Sequence, residues 1–443
     1  MQDGFSQQWA EEAGRLVLAE IGSPTEDTFV SLIHLTMFWY CQGKWRRAYM
    51  FGCNSICAAR LLDLFDSAHT NRADLSAEIS RRRFWAAYII CHTSSRSDLF
   101  DVPRASIEQL GLPCNEDDFA LGNLPEQLVA LNDRVRIPSF YAEMIRLGDL
   151  WRLVRLLVRD TGLSADEKTV NIQNLDMELH QWRQHLPNRF VLTPTSVETS
   201  SPAVLSHLLL LNIVFHQCLC VLHSSIVPLF TFGPGGETLP HVQSSSAQTC
   251  FDHANQMTTI FEIALPWCTS HAPGFVGYAA YCASAIQLPF LWCNNPEVSM
   301  RAFANIRVNA KVLNGIGKRW KFVAGLEKHA QTLRQYHENR GSELADKPVG
   351  LAISQLNECI CIFARTRTSL LGHNDIVYAS GCIPDCGKID ALEVNNDVEE
   401  WLQNQTSSVQ ISGSAEYPQS QQSLSDMLLE PYYLSDDFNI LLS

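Results

Sequence analysis

The sequence predicts an all-α protein: a large multi-helix domain followed by a disordered acidic C-terminal tail. Apolar residues recur at helical spacing, helix N-cap signals recur along the chain, and alternating strand patterns are nearly absent. The chain has 443 residues, of which 46% are hydrophobic and 18% charged. This composition is typical of a globular protein with a sizeable core. We place the helical domain at residues 5–370 and the tail at residues 389–443.

Cap signals mark four helix starts. Each combines an N-cap side chain with a following proline or with a glutamate three residues later. The signals are Ser23-Pro24-Thr25-Glu26 with Ser23 as the cap, the Ser164 and Glu167 capping box after Gly162, Ser201-Pro202, and Asn295-Pro296.

Helical periodicity connects these signals. Apolar residues from Phe140 to Val158 fall on one helical face, with most arginines of that segment off the apolar stripe. Further helices are expected over residues 5–20, 45–65, 78–100, 241–265, 274–293, 296–320 and 349–370. Loops rich in Pro, Gly, Ser or acids are expected over residues 101–125, 192–201 and 232–246.

Charge and cysteine usage limit the function classes. The chain carries 33 Lys and Arg against 47 Asp and Glu, a net charge of −14, which disfavours autonomous nucleic-acid binding. Its 15 cysteines are odd in number, and many lie in apolar runs, which indicates a reducing compartment. The N-terminus shows no basic segment followed by an apolar run, so no secretory signal is expected.

Two uncharged stretches are long enough to span a membrane. Residues 200–236 and 263–296 contain no Asp, Glu, Lys or Arg, and a spanning helix needs about 20 apolar residues. Polar residues such as His216 and Gln287 interrupt both stretches. Buried helices of a large domain are therefore favoured and no membrane partner is expected, with a membrane-associated helical protein kept as the alternative.

No residue set indicates catalysis or a metal site. Cys53 and Cys57 could place two thiolates on one helical face, but core packing is favoured for them. The histidines of the apolar segment, His207, His216 and His223, are expected to be buried and hydrogen-bonded. Four further cysteines have a spacing that matches no compact zinc module, namely Cys359, Cys361, Cys382 and Cys386. The glycine-rich loop 233–236 does not indicate a binding site either. We expect no enzyme, no catalytic or metal-ligating residue and no known cofactor site; an all-α enzyme is the weaker alternative.

A basic triplet lies at the start of the most distinctive segment. Arg81, Arg82 and Arg83 follow Glu78 and precede a strongly apolar run. Local ion pairs or carbonyl caps are favoured over direct DNA contact, because three charges release few counterions.

Several segments resemble a known family in order along the chain: the middle homology region of fungal zinc-cluster transcription regulators, a large α-helical domain. The most specific match runs from Glu78 to Tyr88, and weaker ones lie at residues 32–52, 112–119, 211–223 and 311–320. The signature residues are Glu78, Arg81, Arg82, Arg83, Phe84, Trp85 and Tyr88.

The resemblance implies a nuclear transcription regulator, controlling a metabolic or secondary-metabolite gene set in a fungus. The six-cysteine DNA-binding cluster of that family has no counterpart among these 15 cysteines, so zinc is expected only if an upstream zinc cluster exists. Contact with DNA is accordingly expected only indirectly, through a DNA-binding partner or a missing upstream module. Transcription machinery is the other expected partner, and the resemblance leaves open whether the protein forms a homodimer.

The tail fits a transcriptional role independently. Its 55 residues hold ten acids and no Lys or Arg, and acids alternate with large apolar residues between Asp426 and Phe438. Such a pattern is typical of activation segments, in which charge keeps apolar side chains exposed for a partner groove. A solvated tail without a partner is equally compatible with this composition. The possible activation segment comprises Leu428, Leu429, Tyr432, Tyr433, Leu434 and Phe438.

Overall fold

A computed structural model describes residues 2–65, 71–94, 104–133, 135–160, 162–230, 240–268 and 271–339. Within these ranges the chain is all-α, as predicted, and forms no strand; one isolated antiparallel bridge joins Gly111 and Ala130. The helix predicted over residues 349–370 and the tail at residues 389–443 lie outside the described residues.

The helices are numbered in chain order. They are α1 Gln2–Ala19, α2 Glu26–Cys41, α3 Trp45–Leu61, α4 Leu75–Ser94, α5 Arg104–Ile107, α6 Glu116–Leu121, α7 Phe140–Arg159, α8 Ala165–His185, α9 Pro194–Thr199, α10 Pro202–Ser224, α11 Pro240–Cys268, α12 Gly274–Gln287, α13 Pro296–Gly317 and α14 Lys321–Asn339. Short 3-10 turns cover Asn188–Phe190, Pro228–Phe230 and Leu288–Trp292.

Three of the four predicted caps are confirmed. Ser164 forms the capping box with Glu167, and Ser201 and Asn295 accept from backbone N–H groups ahead of a proline at the start of the helix. The prediction of Ser23 as a cap is wrong. Thr25 is the N-cap of α2, and its side chain accepts from the N–H of Thr28.

The predicted loops contain short helices. Asn115 caps α6 inside the loop predicted over residues 101–125, and Thr193 caps α9 inside the loop predicted over residues 192–201. In both places a side-chain cap stabilises a helix of six residues, which is too short to show apolar periodicity. The last described helix, α14, was not predicted either, although it buries Phe322, Val323 and Leu326.

The core is built around α10. This helix contacts α7, α8, α11 and α12, and its apolar residues from Leu205 to Leu222 are almost completely buried. An apolar helix surrounded by neighbours needs no polar face, because its whole circumference is shielded from water. This arrangement explains the uncharged composition of residues 202–224.

Two described helical segments are long and apolar enough to cross a membrane. They are Pro202–Ser224 and Gly274–Trp292, and 78% and 83% of their most apolar windows are buried inside the fold. The second segment changes from α12 to a 3-10 turn at Leu288, because Pro289 has no N–H to continue the α-helical pattern. Burial on this scale is what core helices of a large domain show, in agreement with the prediction from their polar residues.

Helix α7 is buried on nearly all sides. The predicted stripe from Phe140 to Val158 is confirmed as core. The arginines outside that stripe are buried as well, since Arg146, Arg152 and Arg155 each retain 8% exposure or less. Helices α4, α8 and α10 all contact α7, so its polar face meets protein rather than water.

Candidate functional site

The signature segment of α4 forms a buried carboxylate–guanidinium cluster. Glu78 is 0% exposed, and Arg81 and Arg82 are each 1% exposed. Positions i, i+3 and i+4 share one helix face, so both guanidiniums reach the same carboxylate. Arg81 donates to Glu78 Oε2 from Nε at 3.0 Å and from Nη2 at 2.7 Å, and Arg82 Nε donates to Oε1 at 2.8 Å.

This cluster holds the polypeptide that follows α5. The N–H of Cys114 donates to Glu78 Oε1 at 3.0 Å, and Arg82 Nη2 donates to the carbonyl of Cys114 at 2.9 Å. Trp85 Nε1 donates to the carbonyl of Gly111 at 2.8 Å. Phe119 places its ring 4.0 Å from the Arg82 guanidinium carbon, a cation–π distance. The signature therefore clamps residues 111–119 onto α4, a range that includes residues 112–119, the segment whose sequence resembles the loop that follows the signature in the family.

The other signature residues also make contacts with side chains of the helical domain. Arg83 pairs with Glu26 at the start of α2. Phe84 and Trp85 pack edge to face with ring centroids 5.1 Å apart. Tyr88 donates to Asp149 Oδ1 on α7 at 3.0 Å. The predicted local ion pairs are confirmed, and the arginine triplet joins α2, α4 and the Cys114 segment instead of forming a basic surface.

An open cleft of about 240 Å³ lies beside the clamped segment. Its wall includes Cys114, Asn115, Asp118 and the apolar side chains of Leu124 and Leu128. Burial raises the pKa of the Cys114 thiol to about 11, with the Glu78 carboxylate acting in the same direction. The thiol is thus held protonated at neutral pH, which argues against a nucleophilic role.

Histidines from three helices meet between α8, α10 and α11. His216 Nδ1 lies 2.7 Å from His253 Nδ1, so one ring donates a hydrogen bond to the other. His223 Nε2 lies 3.0 Å from Asp176 Oδ1, and His180 Nδ1 lies 3.3 Å from the second oxygen of Asp176. His216 and His223 are hydrogen-bonded as predicted, but both are partly rather than fully buried.

The electrostatics of this group favour the neutral forms of His216 and His253. Burial lowers the pKa of His253 to about 4, with the charges of His180 and His223 adding to the effect. Burial also lowers the pKa of His216 well below its usual value. Burial alone would raise the pKa of Asp176, but its hydrogen bond with His223 and the nearby histidine charges outweigh this and lower it. In the described part of the chain, no three or more His, Cys, Asp or Glu side chains are arranged to hold a metal ion.

The third histidine of α10 has a different setting. The His207 ring stacks on Phe140 at 4.6 Å between centroids, with an interplanar angle of 22°. His207 lies nine residues before His216 on α10, which at the rise of an α-helix is about 14 Å along the axis. The three histidines of the apolar segment therefore do not form one site.

The cysteines occupy varied environments. Cys218, Cys220, Cys250 and Cys282 are buried, and burial raises the pKa of each thiol. The prediction that Cys53 and Cys57 pack in the core is wrong for Cys57, which is exposed. Cys53, four residues earlier on α3, is partly buried.

Several predicted residues lie outside the part of the chain that the structure describes. They are Cys359, Cys361, Cys382 and Cys386, the glycines of loop 233–236, and the possible activation segment Leu428, Leu429, Tyr432, Tyr433, Leu434 and Phe438.

Sequence reasoning missed the carboxylates that complete both clusters. Glu26 reaches Arg83 from 57 residues away, and Asp176 reaches His223 from 47 residues away. No spacing rule links residues so far apart in sequence. The only available signal was the general rule that a buried charge needs a partner of opposite charge. This rule does not say which acidic residue is the partner.

Comparison with known proteins gives one informative similarity. The chain is 23% identical, over 367 aligned residues, to the Zn(2)-C6 fungal-type transcription factor FTF1c of Fusarium oxysporum f. sp. lycopersici. The alignment covers 74% of this chain and 38% of that protein, so this chain spans well under half of its relative's length. No family model matches the chain, and no solved structure matches it. The chain is thus similar to part of a fungal transcription factor, in line with the resemblance of the signature segment.

Proposed function

We propose that this chain is a fungal transcription regulator that acts in the nucleus, with its all-α domain serving as a scaffold. The observation that carries the proposal is the 23% identity to a Zn(2)-C6 fungal-type transcription factor along 74% of the chain. The signature supports the scaffold role, because Glu78, Arg81 and Arg82 bind one another inside the fold.

In this proposal, sequence-specific DNA contact comes from another module. The arginine triplet is committed to Glu78 and Glu26, and the net charge of −14 opposes unassisted binding to a polyanion. A zinc-cluster module or a DNA-binding partner would supply the contact. Control of a metabolic gene set belongs to the proposal on the strength of the family resemblance alone.

The proposed activation segment supplies the test. The full chain is fused to a heterologous DNA-binding domain and tethered to a reporter promoter. Serine substitution of the six apolar residues, Leu428, Leu429, Tyr432, Tyr433, Leu434 and Phe438, should lower output strongly, because a partner groove would lose its apolar contacts.

A matched control substitutes six polar residues of the same tail, within 418–425, by alanine. Output should stay near the parent value with this variant, and protein abundance is measured for all fusions. Equal output from the parent and the six-serine variant would contradict the activation role. Retention of the native chain in carbonate-washed membranes would instead favour the membrane-associated alternative.

A further inference from the structure

Three sulfur-bearing side chains lie along one stripe of α3. Met50, Cys53 and Cys57 occupy positions i, i+3 and i+7, and at 3.6 residues per turn these positions fall within about 60° of one another around the helix axis. Met50 is 59% exposed, Cys57 is exposed and Cys53 is partly buried. The sequence alone favoured core packing for the two cysteines, and their exposure in the fold is what opens them to a ligand.

The two thiols are close neighbours. Side chains at i and i+4 of an α-helix have Cβ atoms about 5–6 Å apart. Burial raises the pKa of the Cys53 thiol, its hydrogen bond with Tyr49 opposes this rise, and a charged Cys57 raises the pKa further. Two thiolates at these positions therefore repel each other, and a cation bound between them removes that repulsion.

The spacing of the two cysteines fits a bridging ion better than a disulfide. A disulfide needs Cβ atoms about 3.5–4.5 Å apart, which is less than the helix provides. Two sulfurs bound to one metal ion at about 2.3 Å each can lie up to about 4.6 Å apart. This span is compatible with Cβ atoms about 5–6 Å apart on one helical face.

The donor set selects a soft ion of low coordination number. Thiolate and thioether sulfurs are the ligands that soft ions such as Cu(I) prefer, whereas a structural zinc site needs four ligands. In the part of the chain that the structure describes, no third His, Cys, Asp or Glu joins the two thiols. Helix α3 contains no Asp or Glu, and Arg60, three residues after Cys57, is exposed. The Arg60 charge favours the dithiolate complex of a monovalent cation, whose net charge is −1.

We propose that Cys53 and Cys57 form a surface site for Cu(I), with the Met50 thioether as the third donor. On binding, each thiol releases one proton to the solvent and two S–H bonds are replaced by two S–Cu bonds. Copper stays in the +1 state, and no electron is transferred. The pair should bind Cu(I) more tightly than a single thiol, because binding of one sulfur holds the second at a high effective concentration.

Protection of the thiols from alkylation tests the site in the native full chain. Cu(I) is supplied anaerobically, its free concentration is set with the chelator bicinchoninate, and iodoacetamide labelling is measured by peptide mapping. Cys53 and Cys57 should become protected together, at a free Cu(I) concentration at least about tenfold lower than Cys293 requires. Cys293 is a partly exposed thiol that follows the 3-10 turn Leu288–Trp292. Equal protection of Cys57 and Cys293, or protection of Cys57 without Cys53, would overturn the proposal.

Single-site variants identify the donors, and far-ultraviolet circular dichroism checks that each variant is folded. Cys53→Ser and Cys57→Ser should each abolish protection of the remaining thiol at Cu(I) concentrations that protect the parent pair, because a chelate needs both sulfurs. Met50→Leu should raise the required Cu(I) concentration by about tenfold. The control Met300→Leu removes a thioether that is 61% exposed on α13 and should leave that concentration unchanged.

Three results would refute the site. Unchanged protection of Cys57 in Cys53→Ser would show an ion bound to a single exposed thiol and not a chelate. Unchanged protection in Met50→Leu would refute the third donor. Protection of the pair by Zn(II) at a lower free concentration than by Cu(I) would refute the selectivity for a soft monovalent ion.

Discussion

Removal of the Glu78 charge should lower the free energy of unfolding far more than removal of a charge from an exposed ion pair. In Glu78→Gln the shape of the side chain is kept, but Oε2 becomes an amide N–H donor facing the two donors of Arg81. Two guanidiniums, each 1% exposed, then lose the carboxylate that both of them contact. The bonds from Arg82 and from the N–H of Cys114 to Oε1 lose their charged acceptor as well.

The expected magnitude follows from burial. Removal of one partner from a buried ion pair costs about 3–5 kcal/mol. A domain of this size should have a urea m-value of about 3 kcal/mol/M or more, so a loss of about 3 kcal/mol lowers the midpoint by about 1 M or less. The matched control is Glu26→Gln, which removes the same charge from the partner of Arg83. Their side chains are 39% and 20% exposed, so the expected cost is about 0–1 kcal/mol.

Urea unfolding followed by circular dichroism measures both variants. The reasoning is refuted if Glu78→Gln costs less than about 1 kcal/mol, or if the two variants are equally destabilised. Near-ultraviolet circular dichroism should also change for Glu78→Gln, since Trp85 binds the carbonyl of Gly111 in the segment that the cluster clamps.

Three other outcomes are expected. The pKa of His253 is about 4 in the fold and about 6.5 in the unfolded chain, so about 3 kcal/mol of stability that is present above pH 6.5 should be lost as the pH falls toward 4. The urea midpoint should therefore decrease over this pH range, and His253→Gln should make the decrease smaller. An unchanged pH dependence in His253→Gln would assign the effect to other groups. Ser164→Ala removes the cap of α8 and should cost about 1 kcal/mol of unfolding free energy, whereas Ser76→Ala inside α4 should have little effect. Iodoacetamide should modify exposed Cys57 in the native protein and leave buried Cys218 intact until urea is added; comparable native rates by peptide mapping would contradict the burial.

Local signals predicted most of the helical architecture. The caps at Ser164, Ser201 and Asn295 are side-chain contacts within three residues, so the sequence alone contains all of their partners. Short helices such as α6 and α9 were missed because six residues are too few to show apolar periodicity. The late helix α14 was missed although its buried residues Phe322, Val323, Leu326 and Leu333 recur at helical spacing, so the sequence contained a signal for it.

The sequence by itself determined the all-α class, the apolar core helices and the acidic character of the tail, because periodicity, capping and charge are properties of neighbouring residues. Only the tertiary structure decided the role of the signature. The same three arginines could form a surface patch or a buried cluster, and the difference depends on Glu26, Cys114 and Phe119, which approach from other segments. Folding brings these groups together because a buried guanidinium requires a counterion and hydrogen-bond acceptors, and a linear sequence does not say which distant residues supply them.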